Sequence, residues 1–204
     1  MRAILVANPK GGSGKTTLAT NLAGCLANSG DAVCLWDLDR QHSSLEWLRL
    51  RPSYLPRIVR LDQREHLPKK AQWLVLDSPA ALHGKHLTEM VKEAQKVLVP
   101  IQPSLFDIAA TRDFLAELKE EKAIRKQRTF VGIIGSRVDP RTRAATQLIS
   151  YLREHDMPLV GWVRDTMMYA NAAFEGRSIF DLPAWQAERE QAMWQPILEW
   201  VKKD

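Results

Sequence analysis

Hydrophobic residues in this chain of 204 residues fall into short continuous runs that alternate with segments of helical periodicity. The runs predict β-strands over Ala3–Ala7, Ala32–Trp36, Ile58–Leu61, Trp73–Leu76, Lys96–Ile101, Thr129–Ile134 and Leu159–Val163. The periodic segments predict helices near residues 15–28, 43–50, 85–95, 107–126, 142–155, 168–175 and 184–202. Most of the strands are continuous apolar runs without alternation, which is typical of a parallel sheet covered on both faces.

The regular order of strand and helix predicts an α/β fold, a single doubly wound and mostly parallel sheet flanked by helices. No repeat, low-complexity tract or change of composition divides the chain, so residues 1–204 are expected to form one domain. The segment Pro52–Pro68 is the least regular and predicts a surface excursion.

The composition indicates a globular protein and does not predict a function. Hydrophobic residues make up 45% and charged residues 26%, which are ordinary values for a globular protein. No apolar run approaches the roughly 18 residues of a membrane span, and no signal peptide is visible, so we expect a cytoplasmic protein. Cys25 and Cys34 lack metal-ligand spacing and predict buried, reduced thiols. The net charge of +5 permits nucleic-acid binding but does not by itself predict it.

A glycine-rich segment, Pro9-Lys10-Gly11-Gly12-Ser13-Gly14-Lys15-Thr16-Thr17, stands between the first strand and the first helix. Glycines let backbone N–H groups curl around phosphate oxygens, and the helix N-terminus adds its positive dipole end. Lys15 is expected to reach the β- and γ-phosphates, and Thr16 to hold Mg²⁺. The predicted nucleotide contacts in this segment, which we call the phosphate loop, are Gly11, Gly12, Ser13, Gly14, Lys15, Thr16 and Thr17.

Acidic residues end two of the predicted strands. Asp37 and Asp39 come directly after the second predicted strand, in the segment Trp36-Asp37-Leu38-Asp39-Arg40-Gln41. Asp77 comes directly after the predicted strand Trp73–Leu76. Because carboxyl ends of parallel strands face the ligand crevice, these carboxylates are candidates for holding Mg²⁺ or orienting a water molecule. An Asx turn or a helix cap is the alternative for Asp37 and Asp39.

Taken in order, these motifs and the segment Val99-Pro100-Ile101-Gln102-Pro103-Ser104 resemble the ParA/MinD family of deviant-Walker ATPases. The resemblance covers Ala3 to about Leu182 and is greatest to the short, ParF-like ParA proteins. It implies a P-loop NTPase of the SIMIBI type that uses ATP and Mg²⁺.

The resemblance also implies roles for individual residues. Lys10 matches the signature lysine, which reaches the nucleotide of a second subunit in an ATP-bound homodimer. Lys15 and Asp39 complete the catalytic set, with Asp39 positioning the hydrolytic water. Thr16, Asp37 and Asp77 would serve the metal, and Pro103 and Ser136 would lie near the base.

One position departs from the common phosphate-loop pattern, where the family tolerates change, and two depart from the family pattern itself. Pro9 replaces the first glycine of the common phosphate-loop pattern. Arg40 replaces a frequent proline, which leaves the loop after Asp39 less constrained. Ser136 stands where an asparagine often contacts the base, so a preference for ATP over GTP rests on resemblance only.

The resemblance implies three partners: a second copy of the chain, non-specific DNA, and a ParB-like or cargo-adaptor protein that stimulates slow hydrolysis. A nucleoid-associated location follows. Lys119, Lys122 and Lys126 are spaced to share one helix face, with a solvated exterior as the alternative. The predicted DNA contacts are Arg137, Arg141, Arg143, Arg164 and Arg177.

Other functions remain open at this point. A metabolic P-loop enzyme, such as a dethiobiotin-synthetase-like ligase, would need neither DNA nor Lys10. An iron–sulfur carrier would need cysteines at a subunit interface, which Cys25 and Cys34 do not suggest. A MinD-like membrane helix is disfavoured, because Pro183–Asp204 has a net charge of −1 and Trp194, Ile197, Leu198 and Val201 predict a docked core face.

Overall fold

The computed structural model describes residues 1–203, and its centre is a seven-stranded sheet. Asp204, which the predicted domain includes, lies outside the described residues. The strands are β1 Arg2–Val6, β2 Val33–Asp37, β3 Ile58–Leu61, β4 Trp73–Asp77, β5 Lys96–Ile101, β6 Phe130–Ser136 and β7 Leu159–Val163. Each strand lies within two residues of its predicted ends, so the strand predictions are confirmed.

Every pair of neighbouring strands is parallel, and the order across the sheet is β3-β2-β4-β1-β5-β6-β7. The strand β1 is central because it pairs with β4 on one side and β5 on the other. The order therefore reverses beside β1, and in such sheets the crevice at the carboxyl ends of the strands at the reversal is where ligands bind.

The helices cover both faces of the sheet. They are α1 Lys15–Asn28, α2 Ser43–Leu50, α3 Gly84–Glu93, α4 Leu105–Glu120, α5 Lys122–Arg125, α6 Arg143–Glu154, α7 Met167–Phe174 and α8 Ala184–Lys202. Short 3-10 helices span Arg64–His66 and Ile179–Asp181. No helix within residues 1–203 is long and apolar enough to cross a membrane.

Two hydrophobic cores lie on opposite faces of the sheet. Along β1, Ile4 and Val6 pack into the core under α1, α2, α7 and α8, while Ala3 and Leu5 pack into the core under α3 to α6. Both faces of one strand are thus buried, which is why the strand runs lack alternation.

The C-terminal helix α8 docks through one apolar stripe. Trp194, Ile197 and Val201 are fully buried, and the Trp194 indole donates a hydrogen bond of 2.9 Å to the hydroxyl of Tyr169. The prediction that this stripe faces the core is confirmed.

One predicted helix is wrong. The segment expected as a single helix over residues 107–126 is two helices, because Glu121 adopts an extended conformation (φ −61°, ψ 129°) between α4 and α5. Lys119 therefore belongs to α4, where its ammonium donates to the carbonyl of His155, and Lys122 begins α5. The lysines do not share the face of one continuous helix.

The helix α2 is anchored at its C-terminal end by a buried ion pair. The Arg51 guanidinium donates to both carboxylate oxygens of Asp181, at 2.8 and 3.0 Å, and both side chains are nearly inaccessible. The loop that precedes α2 carries Asp39, so this pair helps to fix one wall of the crevice.

Candidate functional site

A cleft of about 810 Å³ opens at the carboxyl edge of the sheet. The phosphate loop from Gly11 to Thr17 forms its floor, Leu38–Gln41 and Ser43 form one wall, and Pro79, Ala80 and Arg137 lie opposite. The structure thus brings together segments that are distant in sequence at the edge where the sheet topology predicts a ligand.

The phosphate loop needs its glycines for conformational reasons. Gly12 and Gly14 have positive φ values of 73° and 98°, which L side chains rarely adopt. A Cβ at Gly14 would also stand 2.6 Å from the Ser136 hydroxyl. The Ser13 hydroxyl is buried with no hydrogen-bond partner within the described residues. The backbone of the loop is thus curved, and its Ser13 hydroxyl is available to an anion.

Lys15 begins α1 and is buried at the centre of the loop. Its ammonium donates a 3.0 Å hydrogen bond to the carbonyl of Lys10. Burial lowers the pKa of Lys15, while the charges of Asp77 and Asp39 oppose that shift. A phosphate would supply the anionic partner that this ammonium lacks.

Asp77 ends β4 beneath the phosphate loop and is 1% exposed. Neither carboxylate oxygen has a hydrogen-bond partner in the described part of the chain. Burial raises the pKa of Asp77 to about 7, and the nearby Thr16 hydroxyl and Lys15 ammonium limit the rise. A buried carboxylate without partners is costly unless a cation joins it. Oxygen donors are what Mg²⁺ prefers, so Asp77 and Thr16 fit the predicted metal.

Asp37 has a different set of contacts. One oxygen accepts hydrogen bonds from the backbone N–H groups of Ser44 and Leu45 and from the Ser44 hydroxyl, and the other accepts from the N–H of Asp39. These bonds fix the start of α2 and the loop before it. Of its two oxygens, the one that accepts only from Asp39 keeps a free lone pair for a metal.

Asp39 lies on the wall of the cleft and is partly buried. One oxygen accepts a 2.9 Å hydrogen bond from the N–H of Gln41, which leaves the other oxygen available. The neighbouring Arg40 is exposed and also lines the cleft, so the departure from proline places a positive charge beside the predicted phosphate position.

A second cleft of about 360 Å³ adjoins the first and shares Gly14, Thr17 and Arg137 with it. Ser136 lines it together with residues that follow β7. Its position beyond the phosphate loop suits a base. Pro103 lines neither cleft, because its loop turns towards the front of the phosphate loop, where the Gln102 amide donates 2.7 Å to the carbonyl of Gly12.

Lys10 also lines neither cleft. Its ammonium lies 2.6 Å from a carboxylate oxygen of Asp107 in the first turn of α4, and its side chain is 36% exposed. The two lysines of the loop therefore differ in place, since Lys15 lies inside the cleft and Lys10 lies at its outer side.

The predicted DNA-binding arginines divide into two groups. Arg137 lines both clefts, Arg143 is exposed at the start of α6, and Arg141 is exposed between them. Arg141 donates hydrogen bonds of 3.0 and 2.9 Å to the two carboxylate oxygens of Asp139 and lowers the pKa of that carboxyl to about 2. Part of the Arg141 charge is therefore already neutralised.

Arg164 and Arg177 are also held within the chain. Arg164 forms a 2.5 Å ion pair with the nearly buried Glu190 of α8, and Arg177 donates a 2.5 Å hydrogen bond to the hydroxyl of Tyr54. If either arginine contacts DNA, its guanidinium must keep or give up these bonds within the chain.

Two residues that sequence reasoning did not single out, Asp107 and Asn8, organise the front of the site. Asn8 is buried, and its side chain accepts from the N–H of Lys10 and donates to the carbonyl of Pro100. The spacing Ser104-x-x-Asp107 signals a helix N-terminus and carried no sign of a contact with Lys10.

Both cysteines are buried and free, and burial raises the pKa of Cys25 to about 11. Within residues 1–203, no three His, Cys, Asp or Glu side chains cluster so as to hold a metal ion.

A parallel sheet whose central strand leads through a glycine-rich loop into a helix, with a buried lysine and an unpartnered aspartate, defines a P-loop nucleotide-binding protein. Residues 4–179 match the model of the CobQ/CobB/MinD/ParA nucleotide binding domain, and the chain belongs to this family. It is a nucleotide-binding ATPase of the ParA/MinD type.

Similar proteins cover most of the chain. It is 28% identical to "Maintenance of carboxysome distribution protein A" of Gloeobacter kilaueensis, over 100% of this chain and 95% of that protein. It is 31% identical to "Chromosome-partitioning ATPase Soj" of Thermus thermophilus, over 79% of this chain and 80% of that protein. A solved ATP complex of a Cyanothece McdA variant superposes on this structure with a TM-score of 0.76. The superposition covers 97% of this chain and 96% of that chain at 15% sequence identity, and it shows that the two share a fold.

Proposed function

We propose that this protein is a switch ATPase whose ATP-bound form is a homodimer that binds DNA without sequence preference and positions a cargo. The observation that carries the proposal is the place of Lys10. It belongs to the phosphate loop but lines neither cleft of its own subunit, and its side chain is partly exposed. A lysine in that place can serve a nucleotide held by a second subunit.

Within one subunit, the nucleotide would be held by residues already in place. Lys15 and the N–H groups of Gly12 to Thr16 would bind the phosphates, and Thr16 and Asp77 would hold Mg²⁺. Bound Mg²⁺ would neutralise charge on the phosphate oxygens. Asp39, on the wall of the cleft, would orient the attacking water.

DNA binding in this proposal depends on charge and not on base reading. Phosphate contacts by arginine need no recognition helix and give steep salt dependence. Outside the clefts, Arg143 supports the proposal best, because it is exposed and its guanidinium has no hydrogen bond or ion pair within residues 1–203. Arg141, Arg164 and Arg177 are already engaged, and Arg137 lines the clefts. A dimer would present two such surfaces and place the protein on the nucleoid.

The switch needs a partner that ends the ATP state. A ParB-like or cargo-adaptor protein would stimulate hydrolysis and release the dimer from DNA. Only a difference in DNA affinity between the ATP and ADP states can drive such a cycle. The names of the two relatives describe a carboxysome and a chromosome as the objects they act on, so the proposed cargo is a large assembly of protein or DNA.

Analytical ultracentrifugation and a DNA gel shift with ATP, ADP and no nucleotide test the proposal on wild type and Lys10→Ala. We expect the wild type to dimerise and to shift DNA only with ATP. The variant should still bind nucleotide, because Lys15 and the cleft are intact, but should stay monomeric and leave DNA unshifted.

Lys92→Ala is the matched control, because Lys92 is an exposed lysine in the last turn of α3, and Gln95, just after that helix, bonds to Ala3 at the amino end of the sheet. It should behave as wild type. A wild-type protein that stays monomeric with ATP and ignores DNA would refute the proposal and favour a metabolic P-loop enzyme.

A further inference from the structure

The ion pair between Lys10 and Asp107 joins two segments that lie 97 residues apart. The Asp107 side chain is 8% exposed, whereas that of Lys10 is 36% exposed. The carboxylate is therefore the fixed and buried member of the pair, and the ammonium is the member that can move.

Asp107 is held from several sides. The Ser104 hydroxyl donates to the same carboxylate oxygen that faces Lys10, and it accepts a 3.1 Å hydrogen bond from the N–H of Asp107. The Thr111 hydroxyl donates 2.7 Å to the Asp107 carbonyl and accepts 3.2 Å from the Asn8 amide. The acceptor for Lys10 is thus built into the start of α4.

While the Lys10 ammonium is bonded to Asp107, one of its three donors is occupied within its own subunit and fewer are left for a phosphate of a second subunit. We propose that Asp107 is a positioning residue that holds Lys10 within its own subunit and so sets the ATP-dependent threshold for dimerisation. This inference rests on the proposed function, because it assumes that Lys10 acts across the dimer.

When Lys10 leaves the ion pair, the nearly buried carboxylate of Asp107 loses its cationic partner. Removing one partner from a buried ion pair leaves an uncompensated charge, which costs more than the pair itself is worth. The N-terminus of α4 and the Ser104 hydroxyl offset part of that cost at Asp107. A neutral side chain of the same shape at position 107 would remove the cost and leave Lys10 free.

The test measures the dissociation constant of the dimer by analytical ultracentrifugation with Mg²⁺ and a non-hydrolysable ATP analogue. Asp107→Asn should dimerise more tightly than wild type by roughly tenfold, which corresponds to about 1.4 kcal/mol. Asp107→Glu keeps the charge and should stay close to wild type. Asp113→Asn makes the same charge change at an exposed site on α4 and should have no effect.

A double variant separates this role from a structural one. In the Lys10→Ala background, Asp107→Asn should bring no gain, because there is no lysine left to release. Asp107→Ser serves as a second variant if thermal unfolding shows that the asparagine variant does not fold. Unchanged or weaker dimerisation of a folded Asp107→Asn protein with normal nucleotide affinity would overturn the inference.

The outcomes also distinguish the inference from the function beneath it. If wild type does not dimerise with the analogue, or if Lys10→Ala dimerises as well as wild type, the proposed switch fails and this inference fails with it. If the switch behaves as proposed and Asp107→Asn gains nothing, only the role of Asp107 is refuted.

Discussion

Asp39 and Asp77 are both carboxylates at strand ends, but their surroundings give them different chemistry. Asp39 is partly exposed on the cleft wall with one oxygen available. Asp77 is buried, and neither of its oxygens has a hydrogen-bond partner within residues 1–203. A water molecule can reach the first, and a cation can neutralise the second.

Replacing Asp39 with alanine should abolish turnover while nucleotide remains bound. A group that positions or activates water contributes about a hundredfold or more to a rate, so phosphate release should fall by at least that factor. Gln41→Ala is the control, since it removes a neighbouring cleft side chain and keeps the backbone N–H that Asp39 accepts. Turnover that persists in Asp39→Ala would disprove the assignment.

Replacing Asp77 with asparagine should stabilise the nucleotide-free protein and abolish its stabilisation by Mg²⁺ and ATP. The first effect follows because a buried carboxylate without partners opposes folding, and we expect a gain of about 1 kcal/mol or more in the free energy of unfolding at pH 8. Thermal unfolding with EDTA, and then with Mg²⁺ and ATP, measures both effects.

Asp37→Asn provides the contrast for that measurement. It replaces the carboxylate that accepts N–H and hydroxyl hydrogen bonds at the start of α2, so it should lower the free energy of unfolding by about 1 kcal/mol. A stabilised Asp37→Asn, or a destabilised Asp77→Asn, would contradict the contact-based distinction between the two.

The phosphate loop and its place at the cleft were predictable because a local motif specifies them. Lys15 and Thr16 follow the glycines at fixed spacing, and Asp77 ends an apolar strand. Asp107 was not predictable in its role, because its contact with Lys10 depends on how the loop after β5 folds back. The same folding places Gln102 on Gly12 and keeps Pro103 away from both clefts.

The start of α4 brings two exposed apolar side chains beside the Lys10–Asp107 pair. Leu105 is 76% exposed and Phe106 is 79% exposed. A second subunit that receives Lys10 would also cover these side chains, which gives α4 a role in the proposed dimer.

The double variant Leu105→Ser with Phe106→Ser should therefore weaken the ATP-dependent dimer by tenfold or more, since buried aromatic anchors contribute most to interfaces. Nucleotide affinity of the monomer should not change. Trp185→Ser removes an equally exposed aromatic side chain at the start of α8 and should leave dimerisation intact. Equal dimerisation of the double variant and wild type would exclude this face.

The same region shows where the prediction of elements failed. Leu118 and Ala123 are both buried in one core, so the apolar periodicity continues through the break at Glu121. No glycine or proline marks that break. The strands, by contrast, were predictable because burial on both faces leaves continuous apolar runs.

At the scale of the molecule, the phosphate loop divides its two lysines between the inside and the outside of the cleft. Lys15 is placed to contact a nucleotide held within one subunit. The Lys10 side chain turns towards Asp107 instead, and we propose that it acts on the nucleotide of a second subunit. The central claim is therefore that each ATP site is completed by the lysine of the partner.

Mixing two inactive variants tests that claim most directly. In a heterodimer of Lys10→Ala and Asp39→Ala, the Lys10→Ala subunit keeps Asp39 and receives Lys10 from its partner, so one of the two sites is complete. Mixed in equal amounts before ATP is added, the variants should regain phosphate release that neither shows alone, up to about half of the wild-type rate, because each heterodimer completes one of its two sites. No recovery, with heterodimers present, would show that Lys10 acts only within its own subunit and would contradict the account.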